Sequence, residues 1–300
     1  MAERPAMVFH RPVMVDEVLE YLQPKSGTII DACVGGGGHA RAILDFPGSC
    51  RLLGIDVDPE AIASARRQLA NLDNVELVHS SYVDMADIVR SRGLEPVLGV
   101  LMDFGVSLHQ LTSPDRGFGH DVSGRLDMRF DRSASEPPAL ELVRRASRRE
   151  VLRWLREYGQ EPFATRIARR ISERKDRLRT TEDLAELVRS SVPGHRARRT
   201  LARVFQALRI AVNHELDNVA RGLDAAVELL APGGRLVVLS YHSLEDRLVK
   251  LRLRAGKQAG ILDVLTPKPV RPSPAEVGHN PAARSARLRA AQKTVPEPGR

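Results

Sequence analysis

The stretch Thr28-Ile-Ile-Asp-Ala-Cys-Val-Gly-Gly-Gly-Gly-His39 decides how the chain is read. Three β-formers lead into an acid, Asp31, and then into four glycines, Gly35 to Gly38. An amphipathic segment with Ala40, Ile43 and Leu44 on one side follows, and Pro47-Gly48 stops it. Strand, tight glycine turn and helix form the opening unit of a nucleotide-type Rossmann domain. Glycine suits that turn because the backbone can adopt φ > 0 and a ligand can come close. Taken alone, the same pattern also describes a flexible loop, so the flanking sequence has to decide.

Working outward, the periodicity predicts a helix from Met14 to Tyr21 before this strand. A second strand runs Arg51-Leu-Leu-Gly-Ile-Asp-Val-Asp58, with Pro59 at the first position of a helix whose apolar face is Ala61, Ile62, Ala65 and Leu69. Val75-Glu-Leu-Val-His79 alternates as a third strand, and Val97 to Asp103 reads as a fourth, buried one. Strands alternating with short helices predict a parallel α/β sheet. The next strand, Gly234-Arg-Leu-Val-Val-Leu-Ser240, comes only after a long interval filled with helical signals. Ser147 and Glu150 form a capping box ahead of Val151, Leu152, Leu155 and Tyr158, with Gly159 as the stop. Phe163, Ile167 and Ile171 repeat every four residues, and Thr180 with Asp183 resembles a second cap. A long helix is expected from about Thr200 towards Leu216, then another to Leu230, ended by Pro232-Gly-Gly. A helical domain inserted at residues 111–204 is therefore expected, with the α/β domain made of 1–110 and 205–300. After the fifth strand come a helix with Leu244 and Leu248, one or two short strands, and a Pro- and Arg-rich tail.

Composition bounds the function. The chain has 300 residues, 42% hydrophobic and 28% charged, an ordinary globular composition. No apolar run approaches the length of a membrane span. Met1-Ala-Glu-Arg-Pro-Ala-Met7 lacks the hydrophobic core of an export signal. Cys33 and Cys50 follow no metal-type spacing, so a reduced, cytoplasmic protein without a metal centre is expected. The net charge is +8, and it is regional: residues 141–210 hold 19 Lys and Arg against 9 Asp and Glu, the rest 27 against 29. Such a patch suits a polyanion, although a solvated arginine-rich face has the same composition. Arg196, Arg198 and Arg199 lie in it as candidate phosphate contacts.

Asp56 ends the second strand about 20 residues beyond the glycines, where an acid accepts hydrogen bonds from an adenosine ribose. Both a dinucleotide and S-adenosylmethionine carry that ribose. A pyrophosphate would be unwelcome beside Asp31, whereas an ammonium and a sulfonium would suit it, with Gly36, Gly37 and Gly38 admitting the ligand to the backbone. The inserted helices also occupy the place of a second nucleotide-binding half. These points favour S-adenosylmethionine over a nicotinamide dinucleotide. The fourth strand ends Leu101-Met-Asp103-Phe-Gly105-Val-Ser107, where chemistry in open α/β sheets sits. Carbon-5 methylation of a pyrimidine needs a cysteine near this loop, and none follows Cys50. An exocyclic amine needs only orientation and a proton acceptor. Asp103 is either that acceptor or a cap of the loop. His242, in Ser240-Tyr-His-Ser-Leu-Glu-Asp-Arg247, is either a substrate-facing catalytic group or a satisfied structural histidine.

Phe9-His10 with Pro12-Val-Met, Asp31 to His39, Asp103-Phe-Gly-Val-Ser107, Arg116-Gly-Phe118 and Arg125-Leu-Asp-Met-Arg129 carry a resemblance. Phe205-Gln-Ala-Leu-Arg-Ile210, Ser240 to Arg247 and Asn280-Pro-Ala-Ala-Arg-Ser285 extend it. Eight motifs in order resemble the MraW (RsmH) family of bacterial 16S rRNA cytosine-N4 methyltransferases, nearly end to end. The resemblance implies a Rossmann-like class I methyltransferase fold and S-adenosylmethionine-dependent methylation of one cytidine N4 in the decoding region of small-subunit rRNA. The partner would be 16S rRNA or the small ribosomal subunit, with no membrane, and a homodimer is left open. It implies cofactor contacts at Gly37, Gly38, His39, Asp56, Tyr82, Asp103 and Gln110, with Tyr82 stacking on adenine. Arg284 in the last motif joins the candidate RNA contacts. Leu108-His109 stand before Gln110 where the family usually has a second Ser and a Pro, and the tail after Leu248 is shorter than in some relatives. A nicotinamide oxidoreductase and a non-catalytic RNA-binding assembly protein are the alternatives. A DNA amino-methyltransferase would show an Asp/Asn-Pro-Pro-aromatic motif, absent at Asp103.

Overall fold

The computed structural model describes residues 12–296. Phe9-His10 and the N-terminal stretch read for an export signal lie outside the described residues. The chain divides into two compact units, Met1–Gly105 with Leu216–Arg300, and Val106–Glu215.

The strands are β1 (Thr28–Asp31), β2 (Arg51–Asp56), β3 (Val75–His79), β4 (Val97–Asp103), β5 (Leu230–Ser240), β6 (Leu262–Val264) and β7 (Arg287–Lys293). Helices α1 (Val15–Leu22), α2 (Gly38–Asp45), α3 (Pro59–Gln68) and α4 (Met85–Arg92) belong to the first unit. The second unit holds α5 (Leu108–Thr112), α6 (Ala139–Arg145), α7 (Arg148–Glu157), α8 (Ala164–Arg174), α9 (Thr181–Arg189) and α10 (Gly194–Asn213). After them come α11 (Glu215–Leu229), α12 (Ser243–Gln258) and α13 (Pro274–His279).

The first unit is one sheet in the order β3-β2-β1-β4-β5-β7-β6. β1 to β5 are parallel, and β7 runs antiparallel to both of its neighbours. β1 is buried along its whole length, as a central parallel strand must be when helices cover both faces. Alternation divides the strands between two cores. Ile29, Leu52, Leu101 and Val237 pack with Val18, Ile43 and Ile62 of α1, α2 and α3. Ile30, Leu53, Val100, Met102 and Val238 pack with Val89, Leu223 and Val249 of α4, α11 and α12.

Three differences from the sequence reading have physical causes. The sheet is mixed rather than purely parallel, because the tail returns as β7 between β5 and β6. That strand hides in the sequence behind the charges of Arg287-Leu-Arg-Ala-Ala-Gln-Lys293; Arg289 is nevertheless buried, its Nε donating 2.7 Å to Asp246. α11 stops at Leu229 ahead of Pro232-Gly-Gly, but that segment already belongs to β5, which was expected to start only at Gly234. The segment forms an irregularity inside β5, where pairing with β4 shifts from Val97↔Leu230 to Gly99↔Arg235. α10 begins at Gly194 rather than near Thr200, since Gly-His-Arg-Ala-Arg-Arg199 shows no apolar face to mark its first turns.

In the second unit, Trp154, Leu155, Ile167, Leu184, Val188, Leu201 and Leu208 share one core. Both expected capping boxes form. Ser147 Oγ accepts from the Glu150 amide at 3.2 Å, and Thr180 Oγ1 from that of Asp183 at 3.2 Å.

Candidate active site

The site is built at the carboxyl ends of β1, β2 and β4, beside the point where strand order reverses and crevices open in such sheets. Between β1 and α2 the chain turns through Gly35 (φ 52°) and Gly37 (φ 91°), the left-handed region that a side chain makes costly. Gly37 is the N-cap of α2, with no side chain to occupy its first turn. Gly38 is packed against the Pro12 ring, close enough that a Cβ would sit 2.9 Å from Pro12 Cδ. The N-terminal segment 12–14 is thus strapped over the start of α2.

Asp31, Asp56 and Asp103 stand at the ends of three neighbouring strands. Asp31 is 1% exposed, and its Oδ2 has no hydrogen-bond partner among the described residues. Burial, helped by the Asp103 charge, pushes its pKa up to about 8. Asp56 receives the Gly35 amide on Oδ2 at 2.8 Å and the Asp58 amide on Oδ1 at 2.9 Å, so this carboxylate holds the glycine turn in place. Burial still raises its pKa to about 6. Asp58, read as a strand end, instead caps α3 by accepting from the Glu60 amide at 3.0 Å.

Asp103 is held from two sides. Tyr241, the residue after β5, donates its hydroxyl to Asp103 Oδ1 at 2.8 Å. Burial, with the Asp103 charge beside it, lifts the Tyr241 pKa well above the usual range, so the hydroxyl remains a donor. His39 Nδ1 faces Asp103 Oδ2 at 3.4 Å, while its Nε2 lies 2.8 Å from the Val13 carbonyl. Both ring nitrogens therefore face protein groups. Burial depresses the His39 pKa and favours the neutral ring. Tyr82, in a single 3-10 turn after β3, tilts against Phe104 with ring centroids 5.9 Å apart.

His242 is the N-cap of α12. Its Nδ1 accepts from the Glu245 amide at 3.4 Å, and Glu245 returns bonds to the amides of Tyr241 and His242 at 2.9 and 3.2 Å. Arg284 is exposed on the 3-10 turn Pro281–Ser285. In the second unit, Gln110 completes a capping box with Ser107 at the start of α5, and Arg196, Arg198 and Arg199 are exposed on the first turns of α10. The structure thus brings Asp31, the glycine turn, His39, Asp56 and Asp103 together within the first unit.

Three participants were not assigned from the sequence: Tyr241, Glu276 and the strap at Pro12 and Val13. Glu276 on α13 accepts from the Met14 amide at 2.6 Å, and the Asn280 side chain reaches the Pro12 carbonyl at 3.4 Å. Tyr241 had a usable signal, since it directly follows a strand whose neighbour ends in Asp103. Glu276 had none; it reaches the site through a fold-back of the tail.

The MraW methylase family model matches residues 7–294. Ribosomal RNA small subunit methyltransferase H of Thermotoga neapolitana is 47% identical over 292 residues, covering 95% of this chain and 96% of that protein. The protein of the same name from Thermomicrobium roseum is 45% identical over 313 residues, covering 97% and 95%. That from Acidothermus cellulolyticus is 44% identical over 317 residues, covering 96% and 95%.

Proposed function

The chain belongs to the MraW methylase family and is an S-adenosylmethionine-dependent methyltransferase, and we propose that it methylates the exocyclic N4 of one cytidine in the decoding region of 16S rRNA. The observation that carries the cofactor site is Asp31 Oδ2, a buried carboxylate oxygen with no hydrogen-bond partner among the described residues. When bound, S-adenosylmethionine supplies an electrophilic methyl group on a sulfonium centre. Asp31 would answer its positive charge. Asp56 would take the ribose hydroxyls, since each of its oxygens keeps a lone pair beyond the amide it accepts. Tyr82 would stack on the adenine, and Gly36, Gly37 and Gly38 would let the ligand lie against the backbone.

The nicotinamide reading fits less well. A buried acid under the glycine turn would repel a pyrophosphate, and antiparallel β7 stands where a second nucleotide half would continue the parallel sheet.

The lone pair of cytosine N4 is delocalised into the ring, so the amine is a weak nucleophile. Accepting one amine proton localises that pair on nitrogen, and Asp103, at the end of β4 near the glycine turn, would be the acceptor. Tyr241 holds the carboxylate in one orientation through its hydroxyl. A cytidine within structured RNA would be flipped out of its stack, at a cost of a few kcal/mol. The helical unit, rich in exposed arginines, would supply the phosphate contacts that offset this, and Arg284 one from the first unit. We take the compartment to be the cytoplasm, in keeping with a ribosomal acceptor and with free Cys33 and Cys50. Among the described residues no helix is long and apolar enough to cross a membrane.

Mass spectrometry of 16S rRNA from a deletion strain tests the acceptor. One decoding-region cytidine should lose an N4 methyl group and regain it when the wild-type gene is restored. An unchanged methylation pattern would overturn the assignment.

A further inference from the structure

The tautomer of His39 follows from geometry. Nε2 lies 2.8 Å from the Val13 carbonyl oxygen, which can only accept, so Nε2 carries the hydrogen. In the neutral ring Nδ1 is then a bare acceptor, and it faces Asp103 Oδ2 at 3.4 Å. Two acceptors face each other with no hydrogen between them unless a proton is added. Asp103 Oδ1 is already occupied by Tyr241, so Oδ2 is the oxygen turned towards the ring.

We infer that His39 and Asp103 share one proton during turnover, with Nδ1 taking up the proton that the carboxylate strips from the acceptor amine. This rests on the reading of Asp103 as the amine's proton acceptor. In the transfer, the N4–carbon bond forms, the carbon–sulfur pair stays on sulfur, and N4 sheds one proton. That proton passes to Asp103 and is held between Oδ2 and Nδ1, giving an imidazolium whose two N–H groups point at the Val13 carbonyl and the Asp103 carboxylate. It leaves to solvent when product does. A separation of 3.4 Å is loose for a hydrogen bond, as unliganded catalytic pairs often are before the substrate complex tightens them.

Among the described residues, the charged and titratable groups around the pair are Glu276, Asp31, Tyr241 and Cys33, the last kept a neutral thiol by burial. Glu276 on α13 raises the proton affinity of His39. Asp31 at the end of β1 interacts with Asp103 as a second negative charge. Tyr241 remains a neutral donor. The role also accounts for the strap: the Glu276–Met14 bond fixes segment 12–14, and with it the carbonyl that selects the tautomer. His39 acts through Asp103 and is a positioning residue rather than one that touches the acceptor.

Two measurements test this. In cofactor-free protein with ¹⁵N-labelled imidazoles, His39 should show a protonated Nε2 and a bare Nδ1 at high pH. The Nδ1 signal should move towards the hydrogen-bonded position as pH falls, and Asp103→Asn should abolish that movement. A proton resting on Nδ1 at high pH, or a titration indifferent to Asp103→Asn, overturns the inference even where activity is lost. The second measurement uses His39→Gln, whose amide can still donate to Val13 but offers no base to Asp103. Single-turnover methylation should slow by about 10²-fold or more. With cofactor saturating, its ascending pH limb should move to lower pH. A wild-type rate and pH profile in His39→Gln, with Asp103→Asn inactive, removes the shared proton and leaves Asp103 as acceptor. A wild-type rate in Asp103→Asn removes both.

Discussion

Burial keeps a proton on Asp31 near neutral pH, and a bound cation should expel it. Burial raises its pKa from an ordinary 3.8 to about 8, so between those values the folded chain holds a proton that the unfolded chain has lost. The stabilising contribution of that proton is complete below about pH 4 and is lost as pH rises through about 8. A cationic ligand favours the ionised carboxylate and reverses the shift. Cofactor binding at pH 7 should therefore release close to one proton, read by calorimetry in two buffers of different ionisation enthalpy. Asp31→Asn should release far less and bind more weakly by about tenfold or more, in line with the loss of a buried charge-assisted contact. Equal proton release from wild type and variant would remove Asp31 as the partner of the cation. Asp56, shifted only to about 6 and already bound to two amides, contributes little to the release at that pH.

The turn between β1 and α2 works as one element because each part constrains the next. Asp56 of β2 ties down Gly35, Gly37 reverses the chain at φ 91°, and Pro12 covers Gly38. Gly37→Ala would force a side chain into the left-handed region and set its Cβ 3.3 Å from Ala65 Cα of α3. A loss of stability of about 1–3 kcal/mol is expected, with a lowered Tm and weaker cofactor binding. Unchanged melting and affinity would show that the turn relaxes at no cost. This element was also the most legible part of the sequence, because strand, turn and helix each leave a local mark: Thr28-Ile-Ile, four glycines, then Ala40 and Ile43. The capping boxes at Ser147 and Thr180 were legible for the same reason. What local pattern could not carry was pairing between distant segments. β7 buries Arg289 against Asp246, and the tail brings Glu276 to the amide of Met14 across 262 positions of chain. His39 read as a cofactor contact only by family resemblance; its tautomer depends on a carbonyl 26 positions away.

Charge is distributed over the molecule by unit, and that governs how it should meet RNA. Residues 141–210 carry 19 Lys and Arg against 9 Asp and Glu, while the remainder holds 27 against 29. Many cations of the helical unit are already paired at its surface, such as Arg145 with Glu141 and Arg189 with Glu182. Exposed pairs of this kind contribute little to stability and leave little net charge to a polyanion. Arg196, Arg198 and Arg199 differ. They sit exposed on the first turns of the 20-residue helix α10, the end where the helix dipole favours anions and opposes cations. The helix dipole does not favour three cations there, whereas a phosphate would be met by the arginines and by the positive end of that dipole. Replacing all three with Gln should leave the fold and cofactor affinity intact and weaken RNA binding at low salt. It should also flatten the plot of log affinity against log salt by about 2 to 3 units of slope, since each lost phosphate contact removes roughly 0.7–0.9. A weaker affinity with an unchanged slope would point to lost hydrogen bonds rather than lost phosphate contacts. No change in either would make these arginines a solvated face, and the RNA-binding charge would have to be sought elsewhere on the helical unit or around Arg284.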